Sequence, residues 1–359
     1  MQKFLIPIKP NKFICRANLL TKVHSSLLQN TKLVFIKAPG GYGKTYFMVD
    51  IAEQVLENKD EVVWLTCSSD DNTAEYFFIN LLTQLKKQNI ISEDIFYDEN
   101  ISFLRFINRL FEQFEFLEQQ VFVFFDDVHC INNSLVIDFI QQLSLQTSNK
   151  VKVILASRIK SPFNLAKGLL TQTVIQVNQS ELSFTPEEIE EISKQSDINQ
   201  LTTNEIEQVI EYTGGWPAIV STSVLVSDWR VKSPNWSDKR SQANVNLAEY
   251  FYQEILSSFS EEDKNNLISL SISDYLCDDL IESLIAKKDF FTQINDVVPL
   301  VRLNDPLLTK GLQWFSIHPL MREFLKDQLL ESKHINFKEL HSRASAWFLE
   351  QGVFIEATE

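Results

Sequence analysis

Residues 38–45, Ala-Pro-Gly-Gly-Tyr-Gly-Lys-Thr, form a small-residue segment that ends in Lys-Thr. The segment fits the phosphate-binding motif G-x-x-x-x-G-K-[ST], with Ala38 at the position where glycine usually stands. Small residues allow main-chain N–H groups to turn toward phosphate oxygens. Lys44 would supply a positive charge to the β- and γ-phosphates, and Thr45 a hydroxyl ligand to Mg²⁺. The predicted nucleotide-binding residues of this phosphate loop are Gly40, Gly41, Tyr42, Gly43, Lys44 and Thr45.

An ordinary glycine-rich turn is the alternative interpretation of this segment. The chain has only 8 glycines in 359 residues, and three of them lie within residues 40–43. This local concentration, between an apolar run and an amphipathic stretch, favours the phosphate loop.

Two adjacent acids, Asp126 and Asp127, follow the continuous apolar run 121–125. An apolar run without alternation is typical of a strand covered on both faces, as in a parallel sheet. Ligands bind at the carboxyl edge of such sheets. We therefore predict that Asp126 holds Mg²⁺ through water and that Asp127 orients or deprotonates the attacking water. A solvated strand end is the alternative, and the independent phosphate loop makes it less attractive.

Several other residues could reach the same edge. Arg158 follows the apolar run 151–156 and could reach the γ-phosphate, although an exposed loop arginine fits the sequence nearly as well. The segment Gly214-Gly-Trp-Pro217 either contacts a nucleotide base or caps a helix, and its spacing favours the cap. His129 and His318 are isolated, and an isolated histidine is more often structural than catalytic.

The elements that must position these residues follow from hydrophobic patterning. Five apolar runs predict strands at 33–38, 62–66, 121–125, 151–156 and 174–177. Between them, apolar residues at four-residue spacing predict amphipathic helices. The predicted stripes are Phe47/Ile51/Val55, Phe77/Leu81/Leu85 and Leu135/Phe139/Leu143. Strands that alternate with helices predict an α/β fold, a P-loop NTPase parallel sheet with helices on both faces.

The second half of the chain is predicted to be mostly helical. Thr185-Pro-Glu-Glu188 is a helix start with a capping box, and helices are expected to 227. Residues 231–243 are polar and aperiodic. Helices are expected at 247–259 and 261–272, and Ser260 with Asp263 can cap the second. Together with a hairpin of 298–303 with 313–317 and a helix from Pro319, they resemble a winged helix. We predict a nucleotide-binding domain (1–180), a helical lid (181–230), a linker (231–246), a winged helix domain (247–332) and the start of a helical-repeat domain (333–359).

Net charge, cysteine spacing and the lengths of the apolar stretches exclude several classes of function. The net charge of −15 argues against a broad basic surface for nucleic acid or anionic membranes. The four cysteines are far apart, which fits neither a zinc site nor a disulfide framework. The N-terminus lacks the apolar stretch of a signal peptide, and no uncharged run is long enough to span a bilayer. We therefore expect a cytoplasmic protein.

Taken together, these motifs resemble the MalT-type regulators of the STAND class of signal-transducing ATPases. The resemblance spans nearly the whole chain and rests on an ordered set of segments. They are Leu5-Ile-Pro, Pro39-Gly-Gly-Tyr-Gly-Lys-Thr45, Phe124-Phe-Asp-Asp-Val-His129, Leu155-Ala-Ser-Arg158, Leu182-Ser-Phe-Thr185, Gly214-Gly-Trp-Pro217 and Ile317-His-Pro-Leu320. The phosphate loop alone is common to many families, whereas the ordered set is far more specific.

The resemblance implies roles for particular residues. Asp127 would be the hydrolytic residue and Arg158 the sensor of the γ-phosphate. Pro217 would contact the nucleotide from the helical lid, and His318 would reach the β-phosphate of ADP from the winged helix. Arg16 matches a family arginine whose segment would lie near the adenine.

The resemblance also implies a regulatory switch. ADP would bridge the α/β domain and the winged helix in a closed monomer. ATP, together with a small-molecule or protein inducer, would open the protein for self-association, and slow Mg²⁺-dependent hydrolysis would reset it. Family members usually continue into a sensor domain and a LuxR-type DNA-binding domain, so this portion should not bind DNA itself. Two other interpretations remain open, a non-hydrolysing nucleotide-stabilised scaffold and a metabolic P-loop kinase.

Overall fold

A computed structural model describes most of the chain. The described residues are 2–10, 13–146, 149–195, 201–225, 251–253, 255–294, 298, 300–303, 312–332 and 335–351. The predicted linker 231–246 and the predicted hairpin turn at 304–306 lie outside them. Two compact units are present: Met1–Ala38 with Gly43–Leu182, and Pro39–Tyr42 with Ser183–Glu359. The short segment Pro39–Tyr42 of the phosphate loop therefore groups with the second unit.

The first unit contains a five-stranded sheet in which every neighbouring pair is parallel. Its strands are β1 (Leu33–Lys37), β2 (Glu61–Thr66), β3 (Val121–Asp126), β4 (Val151–Ser157) and β5 (Val174–Asn178). Their order is β2-β3-β4-β1-β5. The predicted α/β fold is confirmed, and every residue of β3 and β4 is buried, as a strand covered on both faces requires.

Among the described residues of the first unit there are seven α-helices. They are α1 (Ala17–Leu27), α2 (Lys44–Glu57), α3 (Ala74–Lys87), α4 (Phe103–Glu115), α5 (Ser134–Gln146), α6 (Ala166–Leu170) and α7 (Gln179–Leu182). Five of them lie between strands, while α1 precedes β1 and α7 follows β5. One face of the sheet shares an apolar cluster with α3, α4 and α5, and α2 packs on the sheet through its own buried residues.

One predicted helix face was wrong in part. Leu135 is 38% exposed, whereas Phe139 and Leu143 are buried together with Val136 and Ile140. The apolar face of α5 therefore begins one residue later than predicted. The reason is that Asn133 caps the helix through the N–H groups of Leu135 and Val136, which fixes the rotation of its first turn.

The described residues of the second unit include eight helices with defined bounds, a helical stretch at 251–253 and one hairpin. The helices are α8 (Pro186–Gln195), α9 (Thr203–Thr213), α10 (Pro217–Leu225), α11 (Glu261–Leu270), α12 (Asp278–Ile285), α13 (Phe290–Ile294), α14 (Pro319–Glu331) and α15 (Phe337–Glu350). Strands β6 (Leu300–Leu303) and β7 (Trp314–Ile317) pair in antiparallel register. The predicted hairpin is confirmed, and Leu276 adds a bridge to Phe315.

Helix starts in this unit follow the predicted capping residues. The N–H of Thr185 donates to Glu188, and the N–H of Glu188 donates back to Thr185 Oγ1, so the capping box is present. Ser260 Oγ accepts from the N–H of Asp263 at the start of α11. The predicted helix to Phe259 ends early, because Leu256–Ser258 form a 3₁₀ turn and Phe259 is extended ahead of this cap.

Among the described residues, no helix is both long enough and apolar enough to cross a membrane.

Candidate functional site

The phosphate loop connects β1 to α2. Gly41 and Gly43 both have φ of +74°, a left-handed conformation that favours glycine. Ala38 is not among the positive-φ residues, so alanine at this position carries no backbone cost. Its N–H donates to the carbonyl of Ser157 at the end of β4, 3.3 Å away. The departure from the motif at residue 38 therefore leaves the loop geometry intact.

A hydroxyl–carboxylate pair lies directly after the loop. Thr45 Oγ1 donates to Asp126 Oδ2 over 2.7 Å, and Asp126 is only 2% exposed. Burial, reinforced by the charge of Asp127, raises the pKa of Asp126 to about 6, while the Thr45 hydrogen bond and Lys44 act in the opposite direction. The structure thus brings together the two predicted Mg²⁺ ligands across 81 residues of sequence.

The donor set suits Mg²⁺, because the ion prefers hard oxygen ligands and keeps several waters. Within the described part of the chain, no cluster of three His, Cys, Asp or Glu side chains could hold a metal alone. A nucleotide would have to supply the remaining oxygens, as in phosphate-loop proteins generally. Thr45 and Asp126 therefore fit Mg²⁺ bound with a nucleotide.

Asp127 has an uncommon backbone conformation. Its φ is 54° and its ψ is 40°, which is left-handed for a residue that is not glycine. Its N–H donates to Asp126 Oδ1 over 3.0 Å, and its Oδ1 lies 3.7 Å from His129 Nδ1. Burial lowers the pKa of His129; Asp127 opposes this shift, and the positive charges of Arg158 and Lys44 add to it.

Arg158 follows β4 directly. The Ser157 hydroxyl accepts from the N–H of Ile159 over 3.1 Å, which fixes the turn that presents Arg158. Because β4 lies between β1 and β3, its end reaches the edge that also carries the phosphate loop and the Asp pair. We call Lys44, Asp126, Asp127 and Arg158 the charged edge.

In the second unit, Trp216 contacts the tip of the phosphate loop. Its Nε1 donates to the carbonyl of Gly40 over 3.1 Å, and its ring stacks on Tyr42 at 5.6 Å and 11°. The N–H of Ala218 donates to the carbonyl of Gly41 over 3.1 Å. Two main-chain carbonyls of the loop are therefore held by the start of α10.

The Gly-Gly-Trp-Pro segment serves as a helix cap, as its spacing predicts. Gly214 has φ of 57° and caps the C-terminus of α9. Gly215 has φ of 70°, and a Cβ there would lie 2.7 Å from the carbonyl oxygen of Phe184. Pro217 begins α10, and its neighbour Trp216 makes the contact with the loop. A nucleotide contact by Pro217 stays a prediction.

His318 lies at the junction of β7 and α14 and is only 4% exposed. Its ring meets the Trp216 ring edge-on at 5.6 Å. Burial lowers the pKa of His318 to about 4, with the backbone of Thr213 opposing the shift. Neither ring nitrogen has a hydrogen-bond partner of normal geometry among the described residues. We call Tyr42, Trp216 and His318 the aromatic group.

Arg16 has main-chain partners. Its buried guanidinium donates to the carbonyl of Leu182, and to that of Glu181 over 3.1 Å. These bonds fasten the segment before α1 to α7. The predicted role of Arg16 near adenine stays a prediction.

Sequence reasoning missed Trp216 and gave His129 no role. A tryptophan between glycine and proline, in a segment otherwise of small and aliphatic residues, was the available signal for Trp216. For His129 the signal was its spacing of two residues from Asp127, because a single 3₁₀ turn brings two residues at this spacing close together.

Two family models match this chain. Residues 16–185 match the NB-ARC domain, and residues 252–335 match the MalT winged helix domain. An HTH-type transcriptional regulator MalT of Vibrio campbellii is 25% identical over 89% of this chain. The MalT of Klebsiella pneumoniae strain 342 is 22% identical over 98% of it. The chain spans only 36% and 39% of these two relatives.

A solved structure supports the fold. The Walker-type ATPase PABY2304 of Pyrococcus abyssi aligns with 89% of this chain and 99% of its own, with a TM-score of 0.53 and 14% identity. Together with the two family models, this similarity agrees with the parallel sheet, the phosphate loop and the hairpin described above. The chain is therefore similar to the MalT-type regulators, with one region that matches the NB-ARC domain and a second that matches the MalT winged helix domain.

Proposed function

We propose that this chain is the ATP- and ADP-binding switch module of a transcription activator and that it hydrolyses ATP slowly with Mg²⁺. The observation that carries the proposal is the 2.7 Å contact between Thr45 and the buried Asp126, at the base of a phosphate loop. Two Mg²⁺ ligands next to a phosphate loop suit the binding of a nucleoside triphosphate or diphosphate together with the ion.

The chain's residues would divide the work of binding and hydrolysis. Main-chain N–H groups of the loop and the N-terminus of α2 bind the phosphates, and Lys44 adds its charge. Thr45 and Asp126 would hold Mg²⁺, and the ion would supply charge neutralisation at the phosphate oxygens. Asp127 orients the attacking water and accepts its proton, while Arg158 stabilises charge on the γ-phosphate.

The aromatic group supports a switch rather than a constitutive enzyme. His318 is neutral near pH 7, so one ring N–H can donate to a β-phosphate oxygen of ADP. The same ring packs on Trp216, which holds the carbonyl of Gly40. In the proposed resting state ADP is retained by this arrangement, and ATP with an inducer favours an open state that self-associates. Such a switch needs contacts that differ between the two states.

The regulatory context comes from the relatives, which are named HTH-type transcriptional regulators. Because this chain covers little more than a third of them, sensing an inducer and binding DNA are proposed for segments outside it. The charge of −15 agrees with that division, since phosphate contacts need Lys and Arg.

The test is to identify the nucleotide that copurifies with the chain and then to measure phosphate release from Mg·ATP. Bound ADP and slow, Mg²⁺-dependent release of one phosphate per ATP would support the switch. Tight binding without release would support the non-hydrolysing scaffold, and phosphate transfer to an added small molecule would support a kinase. No heat with ATP, ADP and Mg²⁺ in calorimetry of folded protein would overturn the proposal.

A further inference from the structure

Asn72 lies one strand away from the charged edge. It is the last residue of the 3₁₀ helix Ser69–Asn72, which follows β2. Strands β2 and β3 are parallel neighbours, with Thr66 paired to Asp126, so the two chains emerge side by side. The N–H of Cys67 donates to the carbonyl of Asp126 over 2.8 Å and continues this alignment past the strand.

The Asn72 side chain binds three main-chain groups of the segment that follows Asp127. Its Oδ1 accepts from the N–H of Asn132 at 2.7 Å and of Asn133 at 3.2 Å. Its Nδ2 donates to the carbonyl of Cys130 at 3.0 Å. In return, Asn133 Nδ2 donates to the carbonyl of Asn72 at 2.9 Å. The amide side chain supplies both the acceptor and the donor that this arrangement uses, on two separate atoms.

This segment begins at a strained residue. Asp127 is left-handed, and such conformations persist only when the surrounding structure over-determines them. On the N-terminal side, β3 and the contact with Asp126 Oδ1 fix Asp127. On the C-terminal side, residues 128–130 form a 3₁₀ turn that leads straight into the residues held by Asn72. Asn72 therefore holds the C-terminal end of the segment that begins at Asp127.

Asn72 is itself firmly placed. Its neighbour Asp71 is fully buried and accepts from the N–H of Ser68 over 2.7 Å, forming a capping box. Lys3 forms an ion pair with the same carboxylate. Because the backbone of Asn72 has little freedom, its side chain can hold the main-chain groups that it binds in fixed positions.

We propose that Asn72 is a positioning residue for ATP hydrolysis, holding residues 130–133 so that Asp127 and His129 stay in place. This inference rests on the proposed function. Asn72 touches no reacting group, so its effect is expected in turnover and not in nucleotide binding.

The experiment compares Asn72→Ala with Asn72→Asp in the 359-residue chain. Asn72→Ala should lower kcat for Mg·ATP about 10-fold while the Kd for ATP changes less than about 2-fold, because a displaced group costs rate without costing binding. Asn72→Asp keeps the acceptor for Asn132 and Asn133 but loses the donor to Cys130, so its kcat should be intermediate. Asn100→Ala, an exposed asparagine of the same unit, is the matched control and should leave kcat unchanged.

A second readout does not depend on turnover. In protein labelled at histidine, the ring NMR signals of His129 should shift in Asn72→Ala, whereas those of His24 on α1 should stay in place. If the parent chain binds Mg·ATP without hydrolysing it, the proposed hydrolysis fails and the role of Asn72 in turnover fails with it, whereas the histidine signals still decide whether Asn72 holds His129 in place. Unchanged His129 signals, or an unchanged kcat in folded Asn72→Ala, would overturn it. Should Asn72→Ala not fold, the same two measurements on Asn72→Asp decide the matter.

Discussion

The charged edge of the first unit and the aromatic group of the second are built in opposite ways. The charged edge combines Lys44 at the start of α2 with an acid pair and Arg158 at the ends of β3 and β4. Burial and the charge of Asp127 raise the pKa of Asp126 to about 6. The aromatic group contains no charge near pH 7, because burial holds the pKa of His318 at about 4. The difference between the two regions is therefore one of charge: the charged edge carries ionisable groups that suit the proposed binding of Mg²⁺ and phosphate, whereas the aromatic group offers a neutral histidine ring packed on tryptophan.

The largest expected effect separates chemistry from binding within the charged edge. Asp127→Ala should lower ATP turnover about 1000-fold, since a positioned general base contributes on the order of 100- to 10,000-fold. ATP affinity should stay within about threefold, because the lost group acts on water and not on the nucleotide. Phosphate release under single-turnover conditions measures the first quantity and calorimetry the second. Asp138→Ala, an exposed acid on α5, is the matched control. Equal turnover in the two variants would remove Asp127 from the mechanism.

Lys44→Ala should weaken ATP and ADP binding about 100-fold or more. Removing one partner of a buried charge pair costs about 2–5 kcal/mol, and each 1.4 kcal/mol is tenfold in affinity. Lys87→Ala on the exposed side of α3 should bind as the parent chain does. Retained ATP affinity in folded Lys44→Ala would refute the phosphate loop and with it the whole charged edge.

The pH dependence sharpens the contrast, because the pKa of Asp126 in the charged edge is about 6, whereas that of His318 in the aromatic group is about 4. A proton on Asp126 competes with Mg²⁺, so Mg·ATP affinity should fall as pH drops below about 6, approaching tenfold per unit. The folded-state pKa of Asp126 exceeds its unfolded value, so the nucleotide-free chain should instead lose this contribution to stability as pH rises through about 6. Calorimetry and thermal unfolding, each compared with Asp126→Asn, measure these opposite trends. A flat affinity between pH 5 and pH 7 would contradict the assignment.

The smallest expected effect belongs to the aromatic group. His318→Phe keeps a ring against Trp216 but removes the N–H that would donate to ADP. ADP should therefore dissociate about 5- to 10-fold faster, which corresponds to the net free energy of one hydrogen bond. Turnover chemistry at the charged edge should be little changed. Stopped-flow displacement of a fluorescent ADP analogue measures the off-rate, with His341→Phe on α15 as the control. An unchanged off-rate would take His318 out of the nucleotide site.

Sequence patterning predicted more of the fold than of the site. The apolar runs located all five strands of the sheet, and the capping residues Thr185 and Ser260 located two helix starts. Both signals are local, since burial and capping act over a few residues. The strand order was not predictable, because nothing in β4 itself says that it inserts between β1 and β3. The exposed Leu135 shows the same limit on a smaller scale, where a cap set the rotation of α5.

By itself, the sequence determined the phosphate loop, the buried strands and the presence of an acid pair after one of them. Only the tertiary structure decided that Thr45 touches Asp126, that Trp216 binds Gly40 from 176 residues away, and that His318 is buried against the ring of Trp216. The physical reason is that propensity and periodicity are properties of neighbouring residues, whereas strand order and ring packing depend on which distant surfaces bury one another.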